Sequence, residues 1–116
     1  MIVGVPREIK DNEYRVGMIP SGVKALVSSG HRVLVEKDAG AGSSIDDDDY
    51  EQAGAEITAA PEEVYGKADL IVKVKEPRPR EYGGLREGSI LFAFLHLAAD
   101  ARLAQELLDR NITAIG

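Results

Sequence analysis

The chain has 116 residues, of which 44% are hydrophobic and 29% are charged, a size and composition that predict one globular domain with a single core. It contains no cysteine, which excludes disulfides and thiolate metal sites and fits a reducing compartment, so we expect a cytoplasmic protein. The formal net charge of −6 disfavours nucleic acid and anionic membranes as partners. The N-terminus shows no signal-peptide pattern, and no apolar run approaches the roughly 20 residues that span a bilayer.

Strand and helix patterns alternate in the first half of the chain. The predicted elements, in chain order, are a strand at 2–5, a helix at 22–29, a strand at 31–36, a Gly-rich loop at 38–44, a short acidic helix at 46–53 and a strand at 55–58. Pro20 and Ser21 supply a rigid turn and an N-cap for the first helix, and Gly30 ends that helix.

The second half continues this alternation. The predicted elements are a helix at 61–65, an apolar strand at 69–74, a breaker run at 76–80, a second apolar strand at 90–95, a helix capped by Asp100 that reaches residue 110, and a final strand at 112–115. Repeated strand–helix–strand units favour right-handed crossovers and a parallel sheet covered on both faces. The predicted fold class is therefore α/β, with three layers around a mostly parallel sheet, Rossmann-like or flavodoxin-like.

Three cationic or titratable side chains follow predicted strands. Arg15 lies in the segment after the first strand, Lys75 follows the strand at 69–74, and His96 follows the strand at 90–95. Ligands of open parallel sheets bind outside the carboxyl ends of the strands, so we expect these three groups to converge. A guanidinium, an ammonium and an imidazole suit a small anionic carbonyl compound, since arginine grips a carboxylate, lysine donates to a carbonyl oxygen and histidine handles a proton.

Two other motifs do not predict a ligand site. In the Gly-rich loop, Gly40 and Gly42 resemble a dinucleotide fingerprint, but Ile45 occupies the place of its third glycine. The aspartates at 46–49 would also repel a pyrophosphate at the next helix start. Their spacing lacks the central glycine and the terminal glutamate of a calcium loop. We therefore expect neither a cofactor-binding site nor a metal site in this chain.

The chain resembles, over essentially its whole length, the N-terminal part of the alanine dehydrogenase and nicotinamide nucleotide transhydrogenase family. The segments that carry the resemblance are GVPREIKDNEYRV at 4–16, DAGAGS at 38–43, YEQAGAE at 50–56, IVKVKEP at 71–77 and LFAFLHLAA at 91–99. The Lys-Glu-Pro and Leu-His-Leu-Ala motifs favour the alanine dehydrogenase branch, because transhydrogenases usually lack that pair.

The resemblance implies oxidative deamination of L-alanine to pyruvate and ammonium with NAD, and the reverse reaction. It implies that Arg15 and Lys75 bind pyruvate or alanine and that His96 is the acid/base. The family's nucleotide-binding domain lies downstream, so residues 1–116 are expected to form a single substrate-binding domain that binds no NAD and is inactive alone. Because the predicted sheet ends at the strand 112–115 without a covering helix, we also expect a homo-oligomer.

Several charged residues close in sequence to Arg15 and Lys75 are candidates to support them. Glu8 and Glu13 are candidates to orient Arg15 or Lys75, and Glu76 is a candidate to orient Lys75. Lys73 shares a strand face with Lys75, and we expect its long side chain to reach the same solvent.

Two other classes of function are alternatives to the enzyme. One is a non-catalytic flavodoxin-like binding module of the receiver type, which is disfavoured because no predicted strand is followed by a pair of aspartates. The other is an assembly module that pairs its incomplete sheet with another copy or with the rest of its enzyme.

Overall fold

The computed structural model describes residues 1–10, 12–75, 77–82, 84–94 and 101–115. Its strands are β1 (Ile2–Val5), β2 (Arg32–Glu36), β3 (Glu56–Thr58), β4 (Leu70–Lys75), β5 (Ile90–Phe94) and β6 (Thr113–Ile115). Its α-helices are α1 (Pro20–Ser28), α2 (Asp47–Gln52), α3 (Pro61–Lys67), α4 (Pro79–Tyr82) and α5 (Ala101–Asp109), and a short 3-10 helix covers Ala41–Ser43.

The six strands form one sheet in the order β3-β2-β1-β4-β5-β6, and every pair of neighbours is parallel. This is the strand order of a Rossmann-type sheet, in which the direction of winding reverses between β1 and β4. The predicted α/β class is confirmed, and the sheet is entirely parallel within the described residues.

Helices cover both faces of the sheet, so the buried residues form two clusters where the sequence predicted one core. On one face, Val23 of α1 and Tyr50 of α2 pack with the valines of β1 and β2. On the other face, Val64 and Tyr65 of α3 pack with Leu107 of α5 and with inward-facing residues of β4 and β5. A parallel sheet buried on both faces separates its core into two such layers.

A close approach of α3 to β1 depends on Gly4. A Cβ atom at this position would lie 2.7 Å from Val64 Cγ1 and 2.8 Å from Ala68 Cβ. Only glycine therefore lets the helix pack directly on the central strand.

Two local predictions were wrong. Helix α1 begins at Pro20 and has Ile19 as its N-cap residue, so Ser21 lies inside the first turn instead of capping it. Residues 79–82 form the one-turn helix α4, where the sequence predicted only a breaker run. In both helices proline is the first residue, where its missing N–H costs no hydrogen bond and its fixed φ suits the helix. The predicted Asp100 cap lies outside the described residues.

The acidic run at 46–49 organises the start of α2. The backbone N–H of Asp46 donates to the Asp49 carboxylate at 3.0 Å, and that of Asp38 donates to the Asp47 carboxylate at 2.9 Å. In the described part of the chain, no group of three or more histidine and acidic side chains is placed to hold a metal ion. None of the described helices is both long and apolar enough to cross a bilayer.

Candidate functional site

The candidate site lies where the winding of the sheet reverses. Strands β1 and β4 are hydrogen-bonded neighbours, with Val3 opposite Leu70 and Gly4 opposite Ile71. The segment after β1 carries Arg15, and the last residue of β4 is Lys75. The reversal point of an open α/β sheet is where ligands bind, so this edge is the first place to look for chemistry.

The segment 12–18, here called the Arg15 loop, is anchored to the sheet and to α2. A Cβ atom at Gly17 would lie 2.5 Å from the carbonyl oxygen of Val72, so the loop passes directly over the β4 backbone. The Tyr50 hydroxyl of α2 donates to the carbonyl oxygen of Met18 at 2.7 Å. These contacts fix the end of the loop that follows Arg15.

The Gly-rich loop at 38–44 holds the other end of the Arg15 loop. The Ser43 hydroxyl donates to the carbonyl oxygen of Tyr14 at 2.9 Å. A Cβ atom at Gly42 would lie 2.7 Å from that same oxygen and 3.0 Å from Tyr14 Cα. The glycine therefore permits a backbone contact one residue from Arg15. The sequence excluded a dinucleotide fingerprint in this loop but did not predict its contact with Tyr14.

We expect Gly42→Ala to destabilise the chain by about 1–3 kcal/mol, because its methyl group would overpack the contact with Tyr14. The amide signals of Tyr14 and Arg15 should shift in the same variant. Urea unfolding and amide NMR measure the two effects. Gly66→Ala is the matched control, since a Cβ atom at Gly66 in α3 would meet no atom within 4 Å. Equal stability of the two variants would contradict the contact.

Arg15 is held by Glu13 through three hydrogen bonds, one from its backbone N–H to Oε2 at 2.9 Å and two from its side chain. Arg15 Nε donates to Glu13 Oε2 at 3.0 Å, and Nη2 donates to Oε1 at 2.8 Å. The Arg15 side chain is 65% exposed and the Glu13 side chain 4% exposed. The buried carboxylate therefore anchors a guanidinium that faces solvent. Within the described residues, the Nη1 edge of the guanidinium has no partner, and a planar fork can bind a second carboxylate there.

The same contact lowers the pKa of Glu13 to about 2, chiefly through the hydrogen bond from the Arg15 side chain. The nearby charge of Lys75 also lowers this pKa. Both predicted substrate-binding cations therefore act electrostatically on one carboxylate. The pKa of Arg15 is raised by its hydrogen bond with Glu13, so the guanidinium keeps its charge.

We expect an NMR titration to place the pKa of Glu13 near 2 and to find it clearly higher in Arg15→Gln, which removes the side-chain hydrogen bond that lowers it most. Because the folded pKa lies below the unfolded one, the pair stabilises the fold above the unfolded pKa, and this stabilisation is lost as the pH falls toward 2. Arg32→Gln is the control, since Arg32 lowers the pKa of Glu56 through a similar hydrogen-bonded pair. A Glu13 pKa that responds equally to both substitutions would refute the assignment.

Lys75 lies at the end of β4, opposite Phe94 of β5, and is half-buried. Its backbone N–H donates to Glu8 Oε1 at 3.1 Å. Of the three glutamates considered as orienting residues, Glu13 binds the Arg15 side chain and Glu8 binds the backbone N–H of Lys75. His96 and Glu76 lie outside the described residues, so their predicted roles remain predictions.

Lys73 is buried, and the prediction that its side chain reaches solvent was wrong. Its Nζ lies 3.4 Å from Glu8 Oε1 and 3.4 Å from Glu81 Oε2, and the three side chains are at most 7% exposed. The Tyr65 hydroxyl donates to Glu81 at 2.6 Å, which together with burial raises the pKa of the phenol. Sequence reasoning missed this network, although a lysine on an inward-facing position of a buried strand requires a counter-charge.

Two cavities border Arg15. A mainly apolar cavity of about 290 Å³ lies over β4 and β5 and is lined by Arg15, Gly17, Val72, Lys73, Val74, Phe92 and Ala93. A more polar cavity of about 150 Å³ is lined by Arg7, Glu8, Glu13, Tyr14, Arg15, Asp38, Ala39, Ala41 and Gly42. The guanidinium thus separates an apolar surface from a polar one, an arrangement suited to a small carboxylate with a short apolar group.

A larger cavity, of about 530 Å³, lies apart from Arg15 and Lys75. It is bordered by three carboxylates, those of Glu36, Glu62 and Glu81, and by Arg7. Burial raises the pKa of Glu36, whose carboxylate accepts the backbone N–H of Arg7 at 2.9 Å. Its acidic lining disfavours an organic anion, so the site at Arg15 is the better candidate despite its smaller volume.

Known proteins resemble this chain in both sequence and structure. The chain is 56% identical over 115 residues to alanine dehydrogenase of Bacillus subtilis (strain 168) and 52% identical over 115 residues to that of Methanococcus maripaludis. Each match covers 99% of this chain but only 30% and 31%, respectively, of the relative. The chain therefore spans about a third of the length of these relatives.

Solved structures give the same result. An L-alanine dehydrogenase superposes with a TM-score of 0.97 at 44% identity, over 100% of this chain and 32% of the other. A transhydrogenase from Sinorhizobium meliloti superposes with a TM-score of 0.92 at 33% identity, over 100% of this chain and 34% of the other. The family model described as "Alanine dehydrogenase/PNT, N-terminal domain" matches residues 4–116. The chain belongs to this family, as the motifs in its sequence indicated.

Proposed function

We propose that this chain is the substrate-binding part of an NAD-dependent alanine dehydrogenase, which converts L-alanine, NAD and water to pyruvate, ammonium and NADH. The observation that carries the proposal is the geometry of Arg15. Glu13 binds one edge of its guanidinium and leaves another edge open beside an apolar cavity, at the reversal point of the sheet. A carboxylate at that open edge would place a methyl group over Val72 and Phe92.

Lys75 has the position and charge to bind the second polar group of the substrate. The proposal is supported by the charge of Lys75, which lowers the pKa of Glu13, the partner of Arg15. An ammonium donates to a ketone oxygen and favours the polarised carbonyl of pyruvate when ammonia attacks it. In this proposal Arg15 fixes the carboxylate and Lys75 the carbonyl oxygen.

His96 is the acid/base in this proposal, which rests on its motif and on its place in the sequence. It follows Phe94, the residue opposite Lys75, by two positions along the chain. An unperturbed imidazole titrates near neutral pH and can both give and take the proton that the carbinolamine and imine intermediates exchange. NAD would be the hydride acceptor, bound by a nucleotide-binding domain outside residues 1–116. The proposal includes a cytoplasmic location, with which the lack of cysteine is consistent.

The proposal is tested in a chimera in which the 115 residues of this chain that match the Bacillus subtilis relative replace their counterparts in that relative. We expect alanine-dependent NAD reduction and pyruvate-dependent NADH oxidation in this chimera. The 116-residue chain alone should show neither. A folded chimera that binds NAD but fails to turn over alanine would overturn the proposal.

A second candidate function, assembly with another copy, is supported by an uncovered part of the sheet. Val72, Phe92 and Ile115 lie side by side in register, and Phe92 and Ile115 are 51% and 48% exposed. We propose that this apolar stripe makes the chain self-associate. Light scattering should show a mass above 12.5 kDa that falls in Phe92→Lys, and a monomer at every concentration would rule this out.

A further inference from the structure

We propose that Glu8 positions Lys75 by serving as the hydrogen-bond partner of the β4 backbone at an irregularity in the sheet. The inference rests on the proposed function, because it assigns a role to Lys75 in ligand binding. It assigns to Glu8, a residue that contacts no ligand in the proposal, a specific contact through which it would orient Lys75.

The pairing of β4 with β5 changes register just before Lys75. Val72 is opposite Phe92, and the next paired residue is Lys75, opposite Phe94. Three steps along β4 thus match two steps along β5, so β4 carries one extra residue. An extra residue of this kind takes backbone groups out of the ladder and re-aims the side chains that follow it.

Glu8 accepts hydrogen bonds from two backbone N–H groups at this irregularity. Val74 N–H donates to Glu8 Oε2 at 3.1 Å, and Lys75 N–H donates to Glu8 Oε1 at 3.1 Å. The two carboxylate oxygens therefore take the place of strand acceptors for two consecutive residues. One of the two bound groups is the backbone N–H of Lys75. The Glu8 carboxylate therefore fixes the backbone position from which the Lys75 side chain extends.

A buried carboxylate needs a counter-charge, and Lys73 provides it. The Glu8 side chain is 2% exposed, and its Oε1 lies 3.4 Å from Lys73 Nζ. Glutamine offers one acceptor oxygen and one donor nitrogen, so it cannot present a separate acceptor atom to each of the two backbone N–H groups. Aspartate keeps the charge beside Lys73 but is one methylene shorter, so it cannot reach both groups without movement of the backbone.

Glu81 is a matched control for Glu8. It is also buried, and its Oε2 lies at the same distance, 3.4 Å, from Lys73 Nζ. Within the described part of the chain, it also accepts hydrogen bonds from the Tyr65 hydroxyl and from the backbone N–H of Arg78. Glu8 and Glu81 thus share their role toward Lys73, but among the described contacts only Glu8 binds the backbone at Lys75.

The experiment measures KM and kcat for pyruvate in the chimera with Glu8→Gln, Glu8→Asp and Glu81→Gln. We expect both Glu8 variants to raise KM for pyruvate about tenfold or more, with a smaller change in kcat, because the lysine is misplaced in the bound complex. Glu81→Gln should lower stability but keep KM within about twofold. The amide signal of Lys75 in the 116-residue chain should shift in the Glu8 variants and not in Glu81→Gln.

The outcomes separate this inference from the proposed function. Lys75→Met in the same chimera should raise KM at least as much as Glu8→Gln, and an unchanged KM there would refute the proposed function itself. If Lys75→Met raises KM but the Glu8 variants do not, Glu8 does not position Lys75. Equal increases in Glu8→Gln and Glu81→Gln would also overturn the inference, since the effect would then pass through Lys73.

Discussion

Replacing Lys73 with methionine is expected to lower the free energy of unfolding by about 3–5 kcal/mol, the largest stability effect that we predict in this chain. Lys73 is the shared counter-charge of Glu8 and Glu81, both buried. Methionine fills a similar volume, so the loss comes from two carboxylates left without a cation and not from a cavity. Urea unfolding of the chain, followed by circular dichroism, measures the change.

Two variants serve as controls for this prediction. Lys24→Met removes a lysine from an exposed position of α1 and should change stability by no more than about 0.5 kcal/mol. Lys73→Met combined with Glu81→Gln should cost less than the sum of the two single changes, because the double variant buries one fewer unpaired charge. Additive costs, or a small effect of Lys73→Met, would show that the network does not stabilise the fold.

Most of the fold could be predicted from local patterns. The six strands were each recognised to within two residues at the ends that the structure describes, because apolar runs and alternation mark strands that are buried in a parallel sheet. The pattern could not predict α4, since the prolines at 77 and 79 read as breakers and one helical turn has no periodicity to detect.

The site was less accessible to sequence reasoning than the fold. The strand-end rule pointed to Arg15, Lys75 and His96; Arg15 is hydrogen-bonded to Glu13, and the charge of Lys75 also lowers the pKa of that carboxylate. Glu8 could be proposed only as a neighbour in sequence, because its contact with residues 74 and 75 spans more than 60 positions. Contacts of this kind depend on which strands are adjacent in the sheet. The sequence pattern of a single strand does not indicate its neighbours.

The Gly-rich loop at 38–44 is a second example of a contact that sequence patterns do not predict. Its pattern predicted no dinucleotide site, but it gave no sign that Gly42 lies against the backbone of Tyr14, a contact that has no local signature. A glycine required by a neighbouring backbone and a glycine required by a phosphate look identical in the sequence. Only the structure distinguishes them, by showing what occupies the space where a side chain would be.

Arg15→Ala in the chimera is expected to lower kcat/KM for pyruvate about 100-fold, or about 2.7 kcal/mol of transition-state stabilisation. The loss follows from the geometry, because alanine removes a fork that Glu13 orients from one edge while the substrate uses the other. Arg15→Lys should give an intermediate loss. A lysine keeps the charge, but its single ammonium cannot bind Glu13 and a second carboxylate in the same fixed plane.

Arg32 supplies the matched control for Arg15, because it makes the same kind of two-bond contact in a different place. Its Nε and Nη2 both donate to Glu56 at 2.9 Å, at the amino-terminal ends of β2 and β3. Ligands of this fold bind at the opposite edge, so Arg32→Ala should leave kcat/KM within about twofold. If Arg15→Ala and Arg32→Ala behaved alike, the contact between Arg15 and Glu13 would be an ordinary surface ion pair, and the substrate carboxylate would have to bind elsewhere.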